Sequence, residues 1–141
     1  DFKRIQIERQ YAADLPHVPC EKSKIQQVIL NILKNGAEAM ADHGTCDGRP
    51  PQFVLRTSRD GDMVRIEIAD NGRGMEEATR KRLFEPFFTT KPVDRGTGLG
   101  LSVSYFIISE DHGGTLEVFS AKDQGTVFVI RLPLGGKVRS S

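Results

Sequence analysis

The sequence of 141 residues has no tryptophan and only two cysteines, Cys20 and Cys46. The two cysteines lack the CxxC or CxxH spacing of a metal site, so we interpret them as free thiols in a reducing compartment. No apolar run is long enough to span a bilayer, and no signal peptide opens the chain. A net charge of +1 provides no broad attraction to nucleic acid or to anionic lipid. The sequence therefore argues against a cysteine metal site, a membrane span and direct binding of nucleic acid.

The residues that are present are typical of a soluble globular protein. Hydrophobic residues make up 38% of the chain and charged residues 28%, and the length is sufficient for a two-layer core. We interpret residues 1–141 as one domain. Because the chain lacks an initiator methionine and begins inside an alternating segment, we expect it to be part of a longer protein. We expect the domain to be cytoplasmic, and the sequence leaves open whether the full protein is anchored in a membrane.

An amphipathic helix over residues 25–40 is the strongest local signal in the sequence. Its apolar positions recur every three or four residues and form one face: Ile25, Val28, Ile29, Ile32, Leu33, Ala37 and Met40. Asn31, Asn35 and Glu38 follow the same period and form a polar stripe beside that face. Asparagine is a poor helix former and is costly to bury unpaired, so these amides either bond to neighbouring backbone or serve a site. Glu21 or Ser23 is expected to cap the helix.

The other segments predict an α/β arrangement of two layers. Alternating apolar residues predict an edge strand within residues 1–12, a hairpin of strands 53–58 and 63–69, and a last pair at 115–120 and 126–132. Residues 76–83 and about 99–111 predict two further helices. We therefore expect an α/β (α+β) two-layer sandwich, in which a mixed and mostly antiparallel sheet is covered on one face by about three helices.

A glycine-rich segment with an acidic residue follows the predicted strand 63–69. Asp70 stands at the strand end, and an ionised carboxylate only accepts hydrogen bonds, which suits an amino donor such as N6 of adenine. Gly72 and Gly74 would let the backbone pass close to a flat ring or adopt a positive φ. The alternative interpretation is an ordinary Asn-Gly turn.

A second glycine-rich segment, with the spacing GxGxG, leads into the predicted helix 99–111. It contains Gly96, Thr97, Gly98, Leu99, Gly100 and Leu101. Such a loop offers backbone N–H groups to a phosphate at a helix N-terminus, although the spacing matches neither the dinucleotide motif GxGxxG nor the P-loop. The alternative interpretation is a flexible loop without a ligand.

The stretch before this loop is predicted to be a mobile lid, at about residues 88–97, because it is long and has few apolar residues after Phe88. Lys91 and Arg95 lie in it, and each either reaches a phosphate or remains solvated. Phe84, Phe87 and Phe88 are expected to form a small satellite core at the base of the lid.

The order of these segments resembles the catalytic, ATP-binding domain of sensor histidine kinases, in the superfamily shared with gyrase B, Hsp90 and MutL. The likeness covers about residues 21–133. It is carried by five segments: Asn31 to Asn35 as the N box, Asp70 to Gly74 as the G1 box, Phe84 to Phe88 as the F box, Gly96 to Gly100 as the G2 box, and Gly125 to Phe128 as the last glycine motif. The residues from Ala37 to Met40 are similar to those of the nitrogen-regulator type.

The resemblance implies a role for each matched residue in the family's Bergerat-type ATP-binding fold. Asp70 would accept a hydrogen bond from adenine N6, in a pocket shaped by Gly72 and Gly74 and supported by Thr126. Asn35 would supply its side-chain oxygen to Mg²⁺ that bridges the phosphates, and Asn31 would act beside it in catalysis. The basic residues of the lid and the GxGxG segment would contact the phosphates. The implied cofactors are therefore ATP and Mg²⁺.

The resemblance also implies a reaction and its partners. The γ-phosphoryl group of ATP would pass to a histidine on the protein's own dimerisation domain, outside this chain, and a response regulator would act downstream. The isolated domain is expected to be a monomer and the full protein a homodimer. His17, His43 and His112 lack the family's acceptor pattern and are expected to be ordinary surface or loop histidines.

Two positions depart from the family's pattern, and two other functions remain open. Many members carry alanine where this chain has Gly36, and a phosphate-contacting lysine or arginine where it has Glu38, so Lys91 or Arg95 would have to serve instead.

One alternative function is that of an ATP-hydrolysing domain of the gyrase B or MutL type. Those hydrolases use glutamate as a base at the position of Asn31, and an amide cannot take up a proton. The other alternative is a catalytically dead nucleotide-binding scaffold, against which the presence of both Asp70 and Asn35 argues.

Overall fold

The computed structural model of the chain describes residues 5–88 and 100–135. Within these residues, five strands form one sheet: β1 (Gln6–Tyr11), β2 (Gln52–Asp60), β3 (Met63–Asp70), β4 (Thr115–Ser120) and β5 (Thr126–Pro133). Their spatial order is β1-β2-β3-β5-β4. β1 is parallel to β2 and the other neighbouring pairs are antiparallel. The predicted mixed and mostly antiparallel sheet, with the N-terminal strand at one edge, is confirmed.

The two faces of the sheet differ in character because successive side chains of a strand point to opposite sides. One face is apolar: Phe53, Ile68 and Phe128 belong to the core and are almost fully buried. The other face carries ion pairs, including one between Arg65 and Glu67 at 2.7 Å. The apolar face is the one on which the helices pack.

The described residues contain three α-helices: α1 (Lys22–His43), α2 (Glu77–Arg82) and α3 (Gly100–Phe106). The apolar face of α1 enters the core through Val28, Ile32 and Met40, each at most 3% exposed. Burial of a side chain of this size contributes about 1.5–3 kcal/mol, so the periodicity of α1 explains why the helix forms here. No helix within residues 5–88 and 100–135 has both the length and the apolar character needed to cross a bilayer.

The start of α1 is held differently from the prediction. Glu21 occupies the N-cap position but its side chain makes no capping bond, and its carboxylate lies 3.0 Å from Nζ of Lys24. The backbone N–H of Glu21 donates instead to Nε2 of His112, at 3.0 Å. Glu21 is thus the N-cap residue, one of the two predicted, but its side chain accepts no bond from the first turn of α1, and a residue far along the chain holds its backbone instead.

The second long helical stretch is not a uniform α-helix. α3 continues into a wider π-helical turn at Ile107–Asp111, which ends at His112. The carbonyl oxygen of Ile107 accepts a bond from Nδ1 of His112 at 2.9 Å, and that of Ile108 accepts the N–H of Gly114 at 2.8 Å. His112 lies in the connection between this turn and β4, as expected of a loop residue, but it is only 6% exposed, so the expected surface position is wrong. Its two ring nitrogens join the end of this stretch to the start of α1.

The three phenylalanines after α2 do not form one satellite core. Phe84 packs against the main core, with its ring centroid 5.2 Å from that of Tyr105. Phe87 is 74% exposed and has a φ of +66°, and Phe88 lies under the guanidinium of Arg82, 4.6 Å from the ring centroid. The prediction of a shared cluster is wrong because the sharp turn of the backbone at Phe87 directs the three rings to different surroundings.

Candidate functional site

Asp70 ends β3, the central strand of the sheet, and is half-buried. Its Oδ1 accepts the backbone N–H of Gly72 at 2.9 Å. Burial raises the pKa of Asp70 to about 6, and the backbone N–H groups of Gly72 and Thr126 act in the opposite direction. The carboxylate is thus an acceptor that has lost part of its hydration, which favours a donor supplied by a ligand.

The wall beside this carboxylate consists of Phe53 and the bare backbone of Gly36. Phe53 pairs with Asp70 across β2 and β3 and is almost fully buried. A Cβ atom at position 36 would lie 2.8 Å from Cε1 of Phe53 and 3.2 Å from Oδ2 of Asp70. The Phe53 ring therefore occupies space that a side chain at position 36 would need, and this apolar wall contributes to the desolvation of Asp70.

Three glycines let chain segments approach closely around Asp70. A Cβ atom on Gly72 would lie 3.0 Å from Oδ1 of Asp70. Gly74 has a φ of +74°, and a Cβ atom there would lie 2.0 Å from the carbonyl oxygen of Ala121. On Gly125 a Cβ atom would lie 2.5 Å from the backbone oxygen of Asp70. Gly72 thus borders the carboxylate, whereas Gly74 and Gly125 allow two backbone segments to pack closely. Of Gly72 and Gly74, for which the sequence suggested a positive φ, only Gly74 has one.

The side chain of Asn71 connects the site to the loop before β2. Its Oδ1 accepts the backbone N–H of Gln52 at 2.8 Å. Its Nδ2 donates to Oδ1 of Asp47 at 3.2 Å and to the carbonyl oxygen of Pro50 at 3.1 Å. The segment after Asp70 is therefore fixed by tertiary hydrogen bonds, in contrast to an isolated Asn-Gly turn.

Thr126 begins β5 directly opposite Asp70 and is 5% exposed. Its hydroxyl oxygen lies 2.9 Å from that of Ser120, and Ser120 also accepts the backbone N–H of Met75 at 2.9 Å. These bonds join the ends of β4 and β5 to the chain that follows Gly74. Thr126 thus belongs to the frame around the Asp70 carboxylate.

Asn31 and Asn35 lie one turn apart on α1, and both are half-buried. Nδ2 of Asn31 lies 3.4 Å from Oγ of Ser104 and 3.5 Å from the carbonyl oxygen of Gly100, so it donates towards α3. Within the described ranges no hydrogen bond engages the side chain of Asn35, and its amide oxygen is available. Because Gly36 follows Asn35 directly and forms part of the wall beside Asp70, the backbone of α1 at Asn35 lies close to that wall.

Six of the predicted site residues lie outside the described residues: Lys91, Arg95, Gly96, Thr97, Gly98 and Leu99. The predicted lid at 88–97 lies outside them too, except for Phe88. Gly100 and Leu101 open α3, and Leu101 packs in part against the core.

Sequence reasoning missed Ser104 and the relation between Gly36 and Phe53. Ser104 follows Gly100 by one helical turn, so its position on the inner side of α3 could have been read from the helical period. The Gly36–Phe53 contact joins α1 to β2 and has no local signal.

The described part of the chain contains no group of three or more histidine, cysteine, aspartate or glutamate side chains that could hold a metal ion. A hard cation here would depend on amide oxygens and on oxygens of the ligand.

The family described as "Histidine kinase-, DNA gyrase B-, and HSP90-like ATPase" matches residues 20–136. Sporulation kinase E of Bacillus subtilis is 45% identical over 134 residues, which are 95% of this chain and 17% of the kinase. The chain therefore spans less than a fifth of that relative's length.

Solved structures agree with this family match. The catalytic domain of histidine kinase ThkA has a TM-score of 0.76 and 27% identity, covering 93% of this chain and 81% of that one. A structure of histidine kinase ThkA in complex with the response regulator protein TrrA has a TM-score of 0.70 and 25% identity, covering 92% of this chain and 34% of that one. These likenesses confirm the two-layer α/β fold predicted from the sequence.

Proposed function

Because this chain belongs to the family of histidine kinase-, DNA gyrase B- and HSP90-like ATPases, we propose that it binds Mg-ATP and transfers the γ-phosphoryl group to a histidine on a separate dimerisation domain. The observation that carries the proposal is the desolvated carboxylate of Asp70 beside the wall of Phe53 and Gly36, where Gly36 directly follows Asn35 on α1. Asp70 accepts a hydrogen bond from the exocyclic N6 of adenine, and Gly72, which borders the carboxylate, gives the base access to it, while Gly74 lets the neighbouring backbone segments pack closely.

The amides of α1 serve the phosphate end of the nucleotide. Asn35 offers an oxygen ligand that no described group engages, and Mg²⁺ prefers such hard oxygens together with those of the triphosphate. When bound, the metal neutralises charge that develops on the transferring phosphoryl group. Lys91 or Arg95 supplies the positive charge that Glu38 cannot, and the GxGxG segment from Gly96 to Gly100, with Leu101 after it, offers backbone N–H groups to the phosphates.

Asn31 favours transfer over hydrolysis. A hydrolase of the gyrase B type needs a base that takes a proton from water, and an amide has no such capacity. Phosphoryl transfer depends mainly on positioning and on stabilisation of charge, so a held metal and a docked imidazole suffice. Asn31 therefore orients water or the hydrated metal without activating a water molecule for attack.

One solved structure supports the proposal that a response regulator is a partner. ThkA is a histidine kinase whose structure was solved in complex with a response regulator. By analogy, the phosphoryl group passes from ATP to a histidine on the dimerisation domain of the longer protein, then to a response regulator. The chain is the ATP-binding domain of a homodimeric, cytoplasmic or membrane-anchored sensor kinase.

The test is transfer of label from γ-labelled ATP to the histidine-bearing dimerisation domain, with and without Mg²⁺. We expect labelling by the wild-type chain with Mg²⁺, and its loss in Asp70→Asn and Asn35→Ala. Gln27→Ala removes an exposed amide from the same helix and is the matched control. Phosphate release at about 1 s⁻¹ or faster without a histidine partner would support the hydrolase instead. Binding of Mg-ATP with neither transfer nor hydrolysis would support the scaffold.

Asn31→Glu separates the two enzymatic alternatives further. Restoring a carboxylate at this position should raise phosphate release and impair transfer to histidine, since general-base help is typically worth about a hundred- to ten-thousand-fold. Equal phosphate release from the wild type and from Asn31→Glu would contradict the role given to Asn31.

A further inference from the structure

Ser104 is a buried polar side chain where α3 packs against α1. It is fully buried, and its hydroxyl donates to the carbonyl oxygen of Gly100, one turn earlier, at 2.9 Å. Nδ2 of Asn31 lies 3.4 Å from the same hydroxyl oxygen and 3.5 Å from the same carbonyl oxygen. The Asn31 amide therefore meets two acceptors on α3, one of them supplied by a side chain.

The chemistry of these groups determines which way round the Asn31 amide lies. A serine hydroxyl has one proton, and the bond to Gly100 uses that of Ser104. With the amide reversed, Oδ1 of Asn31 would face the carbonyl oxygen of Gly100, which has no proton, and Ser104 could donate to Oδ1 only by giving up its own bond to Gly100. Nδ2 is therefore held against α3 and Oδ1 points away from it, and no group in the described ranges donates to that oxygen.

We propose that Ser104 is a positioning residue for phosphoryl transfer, which holds the Asn31 amide so that its carbonyl oxygen is presented to the hydrated metal or to water. This inference rests on the proposed function, in which Asn31 acts beside the metal of Mg-ATP. An amide oxygen can bind Mg²⁺ or accept a bond from its water shell, whereas an amide nitrogen cannot. A rotated amide would therefore present the wrong atom, and Ser104 acts through Asn31 alone.

Ser109 provides a matched control on the same helical stretch. Its hydroxyl makes the same kind of bond to the carbonyl oxygen four residues earlier, that of Tyr105, at 2.7 Å. It is less buried than Ser104, and among the described residues its hydroxyl has no partner on α1. A serine that only satisfies its own helix should behave as Ser109 does.

The first measurement reports the orientation of the Asn31 side-chain amide in the absence of nucleotide. The side-chain amide signals of Asn31 are identified in the NMR spectrum of the 141-residue chain by their loss in Asn31→Ala. We expect Ser104→Ala to shift both amide proton signals and to speed their exchange with solvent, while Ser109→Ala leaves them in place. Unchanged Asn31 signals in a folded Ser104→Ala would overturn the inference, whatever the protein's function.

The second measurement reports how the orientation of the Asn31 amide affects the contribution of Mg²⁺ to nucleotide binding. The affinity for a non-hydrolysable ATP analogue is measured with Mg²⁺ and with EDTA. We expect Ser104→Ala to reduce the gain in affinity that Mg²⁺ provides by about three- to tenfold, the scale of one hydrogen bond, with metal-free affinity within about twofold of wild type. Ser109→Ala should match the wild type in both conditions.

A double-mutant cycle completes the test. In the Asn31→Ala background, Ser104→Ala should have no further effect on the Mg²⁺ gain, because Ser104 acts only through Asn31. An equal effect in both backgrounds would show that Ser104 acts through general stability and would overturn the inference. A wild-type chain without any Mg²⁺ gain would refute the proposed function, and the NMR result would still decide the orientation.

Discussion

Replacing Asp70 by asparagine should make the protein more stable and its nucleotide binding weaker. Burial raises the pKa of Asp70 from its ordinary value of 3.8 to about 6. The folded protein therefore holds this proton more tightly than the unfolded chain does. In consequence the wild type loses stability as the pH rises from about 4 to about 6, and above this window the ionised carboxylate lowers stability by at most about 3 kcal/mol.

Asparagine has nearly the same shape and carries no charge, so it avoids this desolvation. It keeps one oxygen that can accept the N–H of Gly72. We expect Asp70→Asn to be more stable than the wild type by about 2 kcal/mol at pH 8, with the difference shrinking towards zero near pH 4. Because the amide would place a donor opposite the N6 amine of adenine, ATP affinity should fall by about 2 kcal/mol, or roughly thirtyfold.

The assay is urea unfolding of both proteins at several values between pH 4 and pH 8, together with calorimetry of ATP binding at pH 8. Other titrating groups contribute equally to both proteins, so the difference between the two stability curves isolates Asp70. A constant difference across this range would refute the claim that Asp70 is desolvated in the folded state. Unchanged ATP affinity would remove Asp70 from the adenine site.

Three further predictions concern packing. Gly36→Ala should destabilise the fold by about 1 kcal/mol, because the clash with Phe53 costs more than the gain in helix propensity. Phe53→Leu should relieve the clash, so additive losses of stability for the two substitutions in urea unfolding would contradict this contact. Gly74→Ala should lower the stability of the fold by about 2 kcal/mol or more, because the new methyl group would clash with the carbonyl oxygen of Ala121 and the backbone there has a positive φ. A Tm equal to that of the wild type would contradict this prediction and show that the segment can shift. His112→Ala should speed amide hydrogen exchange at Glu21, the N-cap of α1, whose N–H His112 accepts, with little effect in β3. Uniform changes in exchange would argue against a local role.

The features that the sequence could predict are those with a local period. The alternation of β3 and the three-to-four spacing of α1 each repeat over several residues, so the elements and the sheet could be inferred, and the family resemblance is confirmed by the match over residues 20–136. Asp70 could be placed because a strand followed by a carboxylate and glycines fixes that side chain at the end of the strand, here the central one. The likeness to the nitrogen-regulator type stays a prediction.

The features that could not be predicted depend on contacts between distant segments. The burial of His112 has no local signal in the sequence, because its partner, the N–H of Glu21, lies 91 residues away in the chain. The exposed and strained Phe87 differs from Phe84 only through the backbone turn between them. In the sequence Ser104 looks like any serine in a helix, and only the packing of α1 beside it gives its hydroxyl a partner outside its own helix. In each case a tertiary hydrogen bond or backbone conformation, and not residue type, decides the outcome.

The wide turn at Ile107–Asp111 has a consequence for how this sequence can change by insertion and deletion. Ser104 before the turn bonds to Asn31 of α1, and His112 after it bonds to the N–H of Glu21, the N-cap of α1, so the turn must deliver both residues to the same neighbouring helix. Each residue of an α-helix advances the chain by about 100° of rotation, so one residue added or removed between them would turn one contact away from α1. The number of residues between Ser104 and His112 is thus constrained independently of their identity. Relatives that share both contacts should align here without gaps, while their side chains on the exposed side of the turn vary freely.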